Sequence, residues 1–234
     1  MGKTMVFGGG RTAAPVTGTP LSSLAVGSVV RLNENGSPVD YLVVHQGLPS
    51  TLYDSSCDGT WLLRKDIHSL RMWHSSSQSY VAYAVSAIHV WLNETFFNTF
   101  GSAEQRAIKS VKIPYGGYNS NQLTAITGSN GLSAKVFLLI NAEVGDSSSN
   151  IGAKLDYFLD DPFDEMGLRV AYFNGAENPW WLRGTNETGM FGVIGVMGGG
   201  TAGYIGSAMN TYGVRPCIIL SSNAVMTDDG TIKV

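Results

Sequence analysis

Trp180-Trp181-Leu182-Arg183 and, further on, Gly213-Val214-Arg215-Pro216-Cys217-Ile218-Ile219-Leu220 carry the reading of this fold. The first piece is a dense aromatic strand that ends on a cation. The second is a turn that runs into an apolar, buried strand. Between them lie residues 184–212, with nine glycines and no Lys, Arg, Asp, Pro, Trp or Leu. The apolar residues of this tract follow neither a period of 2 nor one of 3.6, so they announce neither a half-buried strand nor an amphipathic helix. A plain loop seldom carries so many apolar groups over 29 residues. A demand other than folding is therefore expected to set this composition.

Upstream, Ser86 to Phe100 predicts a helix, because Ile88, Trp91, Leu92, Phe96 and Phe100 recur on one face. Ser86 can cap it and Gly101 can end it. Ser102-Ala103-Glu104-Gln105 has the form of a capping box that opens a second helix, with Ala107 and Ile108 inward. Lys112-Ile113-Pro114 then leaves as an extended segment. Residues 116–133 read as a polar loop, Lys135–Ile140 as a buried strand and Gly152–Leu159 as a short helix. Further short strands are expected at Val170–Phe173, Trp180–Leu182, Phe191–Met197 and Cys217–Leu220. Nearer the start, Val29–Leu32 and Val39–His45 flank Asn35-Gly36, a strong hairpin signal. Trp61–Leu63 adds another strand. Residues 1–24, rich in Gly, Thr, Pro and Ser, read as an extended arm. Residues 25–234 show no linker-like break and no internal repeat. The expectation is one α+β domain with short antiparallel strands, two helices and long loops.

Composition narrows the function classes. The chain has 234 residues, enough for a full core without disulfides or metals. Charged residues are 14% against a usual ~25%. The net charge of −3 and the lack of any basic segment argue against nucleic-acid binding. No run of eighteen apolar residues is present, so no membrane insertion through a helix is expected. Met1 to Gly10 has one Lys and no apolar core, so the reading is synthesis in the cytoplasm without a signal peptide. Cys57 and Cys217 could form one bridge, although two buried free thiols is the preferred reading.

Candidate chemistry is sparse. Gly198, Gly200 and Gly203 spell G-x-G-x-x-G, but no helix follows them and no βαβ unit surrounds them. They read as a glycine-rich surface loop. His45, His68, His74 and His89 lack the spacing of a zinc site. Asp156, Asp160, Asp161, Asp164 and Glu165 could offer hard oxygen ligands to calcium, but not at EF-hand spacing and with Pro162 between them. A solvated loop is the default reading, and calcium is the one cation left open. No catalytic residue is assigned: G-x-S-x-G is absent and neither cysteine has a catalytic context. The tract Trp73–Val90, with its serine run, reads as the lead into the first helix, the alternative being a second ligand-facing loop.

The frame Trp61-Leu62-Leu63-Arg64-Lys65-Asp66-Ile67, Ile88-His89 with Trp91-Leu92-Asn93, Lys112-Ile113-Pro114, Trp180–Arg183 and Gly213–Pro216 resembles a bacterial and phage domain family of unassigned biochemical function. That family is common in phage tail-associated and surface proteins, and the resemblance spans about residues 26–222. It implies a C-type-lectin fold in its formylglycine-generating-enzyme-like variant. It also implies likeness to the variable proteins of diversity-generating retroelements, which replace adenine-templated codons inside a fixed frame. In that reading Trp180, Trp181, Arg183 and residues 213–220 are scaffold. The ligand surface is drawn from Thr185, Asn186, Glu187, Met190, Phe191, Thr201, Tyr204, Ile205, Ser207, Asn210 and Tyr212. The implied activity is non-enzymatic: a phage or prophage tail-tip receptor-binding protein, at the virion or the bacterial surface. Its partners would be a host cell-surface protein or glycan, with tail proteins held through the N-terminal arm and a homo-oligomer among the implied states. The alternatives are a structural tail subunit without a variable site and an enzyme of the formylglycine-generating type. The latter uses closely placed cysteines, whereas Cys57 and Cys217 are far apart in sequence.

Overall fold

Asn35 and Gly36 take φ of 51° and 81°, the left-handed pair that a two-residue hairpin turn demands. They join β2 (Val29–Glu34) to β3 (Ser37–Gln46) in the register Val29↔Leu42 to Glu34↔Ser37. This computed structural model describes residues 18–75, 82–119, 122–147, 151–158, 167–185, 193–228 and 231–233. The chain begins with β1 (Thr19–Pro20), then β2 and β3, β4 (Thr60–Arg64) and β5 (Ser69–Met72). Helices α1 (Ala87–Glu94) and α2 (Ser102–Ala107) follow. Short strands come next: β6 (Val111–Ile113), β7 (Tyr115–Asn119), β8 (Gln122–Ile126), β9 (Leu132–Ala134) and β10 (Val136–Phe137). A small hairpin, β11 (Tyr172–Phe173) and β12 (Ala176–Glu177), precedes β13 (Trp180–Thr185), β14 (Val193–Val196) and β15 (Ala202–Gly206). The described chain closes with β16 (Thr211–Val214), β17 (Cys217–Leu220), β18 (Val225–Met226) and β19 (Ile232–Lys233).

Two five-stranded sheets dominate, in the orders β10-β17-β4-β3-β2 and β15-β14-β13-β16-β5. All their pairings are antiparallel except β13 with β16. The fold is thus mainly β with few helices. Two links carry the chain between the sheets. Arg64–His68 joins β4 to β5, and Arg215-Pro216 joins β16 to β17. They run side by side, because Arg64 N donates to Pro216 O (2.9 Å) and His68 N to Val214 O (2.9 Å). Arg215 Nε donates to Arg64 O (2.9 Å) and ties them again. This double crossover explains why two distant motifs, one at Arg64-Lys65-Asp66 and one at Arg215-Pro216, belong to a single frame.

The core is continuous across both sheets. Trp61, Trp180, Trp181, Phe137, Leu62 and Ile218 are fully buried. In β17 and β14 every residue is buried. A strand covered on both faces shows a continuous apolar run instead of alternation, which is why β17 and, within the expected Phe191–Met197, β14 were legible, while β15 was not.

Several expected elements are corrected. The helix of 86–100 stops at Glu94; Ser86 caps it through His89 N (3.2 Å), and Phe96–Thr99 continues as a 3-10 turn. Asn98 Nδ2 takes the Glu94 carbonyl (2.6 Å), satisfying a C-terminal acceptor with a side chain. The second helix is capped by Gly101, not by Ser102, whose side chain makes no cap bond. Glu104 instead reaches across to Asn33 N (3.1 Å), and Gln105 Nε2 donates to Phe100 O (2.8 Å), so the expected box does not form. Residues 116–133 hold the β7–β8 hairpin and most of β9 rather than one loop; the described side chains at 124–126 are exposed or half-buried, so no apolar stripe signals it. Of Lys135–Ile140 only Val136 and Phe137 pair in a ladder. Leu138 N and Ile140 N donate to Tyr83 Oη (3.1 Å) and Glu143 Oε2 (2.9 Å), which draws the backbone off the sheet. No helix forms over residues 151–158. Of the arm, residues 18–24 are described: Thr19 and Pro20 pair with Met226 and Val225, and Leu21 is fully buried. Among the described residues no helix is long and apolar enough to cross a membrane.

Candidate functional site

Arg183, at the end of the Trp-Trp-Leu-Arg strand, lies entirely inside the protein beside Glu143, which is equally buried. Arg183 Nη1 and Nη2 donate to Glu143 Oε2 (2.6 Å) and Oε1 (2.5 Å). Nη1 also donates to Leu138 O (2.6 Å), and Nε donates to Pro114 O (3.1 Å). Tyr53 Oη donates to Glu143 Oε1 (2.8 Å) and accepts from Ala153 N (3.0 Å). Every charged atom of this knot has a partner, so it is bidentate structural pairing with no face left for a substrate. Burial works to lower the Arg183 pKa, and the Glu143 carboxylate beside it more than restores it.

Arg215 is buried, and no acid among the described residues pairs with it. Its guanidinium lies 5.0 Å over the Trp180 ring, and its Nη1 has no hydrogen-bond partner. Burial pushes its pKa down to about 10, against the fields of Tyr157 and Asp66. Trp180 Nε1 donates to Arg169 O (2.9 Å). Trp181 Nε1 donates to Arg71 O (2.8 Å) and the ring meets Tyr212 edge-on at 4.8 Å.

The residues expected to form the ligand surface separate. Asn186, Glu187, Met190 and Phe191 lie outside the described residues, which resume at Val193, the partner of both Thr185 and Gly206. Thr185 and Tyr204 occupy ladder positions in β13 and β15. Ile205 is corrected: it is buried (8% exposed), because it lies over Gly195, where any Cβ would collide with its δ-methyl. A glycine in a strand often marks such a close approach. Tyr212 is half-buried on Trp181, and its Oη donates to Ile205 O (3.0 Å). Thr201 is exposed in the turn after β14, beside Met197. Ser207 and Asn210 lie in the turn after β15, at its opposite end.

That second turn builds a coherent surface. Asn210 N donates to Ser207 O (2.9 Å), and Trp73 N and His74 N both donate to Ala208 O (2.9 and 3.0 Å). Thr211 pairs with Met72 across β16 and β5. Met72 and Met209 are 48% and 44% exposed, with Asn210 and Thr211 exposed between them. Sequence reading missed Met72 altogether, since it lies far from the tract and joins it only through the β5–β16 ladder.

Other candidates resolve differently. Asp156 pairs with His45 (Nδ1–Oδ2 2.8 Å), while Asp160, Asp161, Asp164 and Glu165 lie outside the described residues. Among the described residues no group of His, Cys, Asp and Glu is placed to hold a metal ion. Cys57 and Cys217 are free and buried. Burial and then the Glu143 field push the Cys57 thiol up to about 12, and the same causes push Cys217 well above its ordinary range. A thiol held protonated is a poor nucleophile. Ellman's reagent at pH 8 should therefore leave both thiols unlabelled in the folded protein and titrate two after unfolding in guanidinium. Rapid labelling of either native thiol would contradict this and restore the case for thiol chemistry.

Residues 58–222, well over half of the chain, match the family described as a domain of unknown function, DUF6273, so the chain belongs to that family. The double crossover, both Trp-Trp strand and Arg215 link, and the exposed turn all fall within the matched span. No curated protein and no solved structure matches the chain.

Proposed function

We propose that this member of the DUF6273 family is a non-enzymatic binding module of the phage-tail or bacterial-surface type, with a C-type-lectin-like scaffold and a retroelement-diversified contact surface. One observation carries the reading: the described residues of the tract 184–212 divide into a buried part and an exposed part. Val193–Val196 and Ile205 build the sheet, while Met209, Asn210 and Thr211 are exposed beside Met72 and Ser207 is half-buried. A tolerant surface needs a scaffold whose stability does not depend on it, and loops on a rigid sheet supply one. Exposed methionines adapt to varied partners, and short polar side chains add adjustable hydrogen bonds. An exposed apolar cluster rimmed by polar groups is the usual mark of an interaction surface. The partner class is a host cell-surface protein or glycan.

Two linked results test this. The DNA beside the gene should contain a reverse transcriptase and a near-copy of the codons for residues 184–212 that differs only at adenines; absence of both removes the diversified-surface reading. Met72→Ser with Met209→Ser and Asn210→Ala should cut binding to whole target cells at least tenfold. Such surface changes fall within about 0.5 kcal/mol each, so Tm should move by no more than roughly 6 °C in all. Undiminished cell binding by this variant would rule out the surface.

A further inference from the structure

Outside the double crossover lies a cleft of about 690 Å³ that the reading above does not use. One wall is the Arg64–His68 link. The other is the β11–β12 hairpin, from Tyr172 to Gly175. Val39 and Asp40 of β3 form the floor. The walls are pinned. Ile67 N donates to Tyr172 O (3.0 Å) and Lys65 N to Asp40 O (3.0 Å). Arg64 Nη1 donates to Asp66 O (2.8 Å) while its Nε is held by Glu34 (3.1 Å). The hairpin tip is fixed by Asn174 and Gly175, with φ of 52° and 80° in a two-residue turn. The site is therefore preformed, which lowers the ordering cost of binding.

Its chemistry is balanced. Asp40 and Asp66 face Arg64 and Lys65, so the lining carries no net charge. Three of its four charged groups are already paired: Lys65 Nζ to Asp40 Oδ2 at 3.8 Å, Asp40 to Arg31 at 3.1 Å and Arg64 to Glu34. Burial lowers the His68 pKa; the Glu34 field opposes this and the smaller Arg64 and Arg71 fields add to it, so His68 adds no charge at neutral pH. An anion or a cation finds little field here. The anionic end of a zwitterion would have to break an existing pair to reach Lys65 or Arg64. Hydroxyl groups need not: each can donate to a carboxylate and accept from an ammonium or amide at once. Asp66, Lys65 and Asn174 are exposed and supply those groups. Tyr172, 45% exposed, offers an aromatic face at the same rim. Such a face matches the apolar C–H side of a sugar ring. Few polar groups around one exposed ring is also how small-ligand sites fix orientation.

We propose that this cleft binds a neutral saccharide, with the ring stacked on Tyr172 and hydroxyls shared among Asp66, Lys65 and Asn174. The site is separate from the turn after β15, although β5 runs between them, so each can fail alone. The test is a titration of the ¹⁵N-labelled full chain with D-glucose, D-galactose, N-acetyl-D-glucosamine and maltose, with glycine and inorganic phosphate as contrasts. At least one sugar should give saturable amide shifts confined to residues 39–40, 64–68 and 172–175. Tyr172→Ala and Asp66→Asn should each raise its Kd at least tenfold with the rest of the spectrum unchanged, whereas Tyr172→Phe should bind within a few-fold of the parent. Shifts with glycine or phosphate alone, shifts that map elsewhere, no saturable shift with any of the sugars, or full affinity in Tyr172→Ala would each overturn the proposal. None of these outcomes bears on the cell-binding result for Met72, Met209 and Asn210.

Discussion

Arg183→Met should lower the melting temperature by roughly 6–20 °C. The change leaves the Glu143 carboxylate in a site with no exposure and without its bidentate partner. Removing one member of a buried ion pair costs about 3–5 kcal/mol, and for a chain of this size each kcal/mol is worth roughly 2–4 °C. Two backbone acceptors, Leu138 O and Pro114 O, lose their donors as well. The double replacement Arg183→Met with Glu143→Leu removes both charges together. It should regain a large part of the loss, because apolar groups of similar volume often replace a buried pair at little cost. Thermal denaturation of the two variants decides the matter. A single variant within 2 °C of the parent would show that the pair does not hold the interior. A double variant worse than the single would show that the Tyr53 and Ile140 N bonds to Glu143 carry the weight.

Trp180→Ala should cost a comparable amount, about 3–5 kcal/mol, from lost burial and the cavity left behind. The indole is fully buried and its N–H is taken by Arg169 O. Its ring is also the face on which Arg215 rests. Without it, a guanidinium already short of one partner at Nη1 loses its π contact too. The link between β16 and β17 should then loosen beside its twin. Trp180→Phe keeps a ring under Arg215 and loses only part of the volume, so it should cost less. Chemical denaturation with an unchanged m-value would confirm that stability, not the unfolded state, is affected. If Trp180→Phe and Trp180→Ala cost the same, the ring contact contributes nothing and the argument from Arg215 fails.

The elements that alternate or run apolar were readable from the chain. Val29–Leu32, Asn35-Gly36 and Val39–His45 gave the first hairpin, and Cys217–Leu220 the central strand, because each has one dominant local signal. Asn174-Gly175 carries the same turn signal as Asn35-Gly36 and was passed over, since only two residues pair on either side of it. Within the tract 184–212 a strand was legible at Phe191–Met197, where β14 forms, but β15 was not. β15 is a short stretch with glycines at 203 and 206, so its few apolar residues show no period. The resemblance assigns Ile205 to the ligand surface with the rest of the tract, and no periodicity in β15 marks it as buried. The partners of Arg183 and Arg215 were beyond sequence reading, because Glu143 and Arg64 meet them through sheet order and crossover rather than through spacing. For the same reason Met72 and the Tyr172 cleft carried no signal along the chain.

The pairing of β1 with β18 has a mechanical consequence. Thr19 lies opposite Met226 and Pro20 opposite Val225, so the chain enters beside the point from which it leaves toward β19. Tension applied between those two points does not act along the strands. It peels them, one hydrogen-bonded pair after another, across a contact only two residue pairs long. Tethered through both points together, the domain carries load as a single anchored plug; tethered through one and pulled at the other, it opens there first. The β1–β18 clasp is thus a fuse whose strength depends on the geometry of attachment, while the two large sheets stay out of the force path until it has given way.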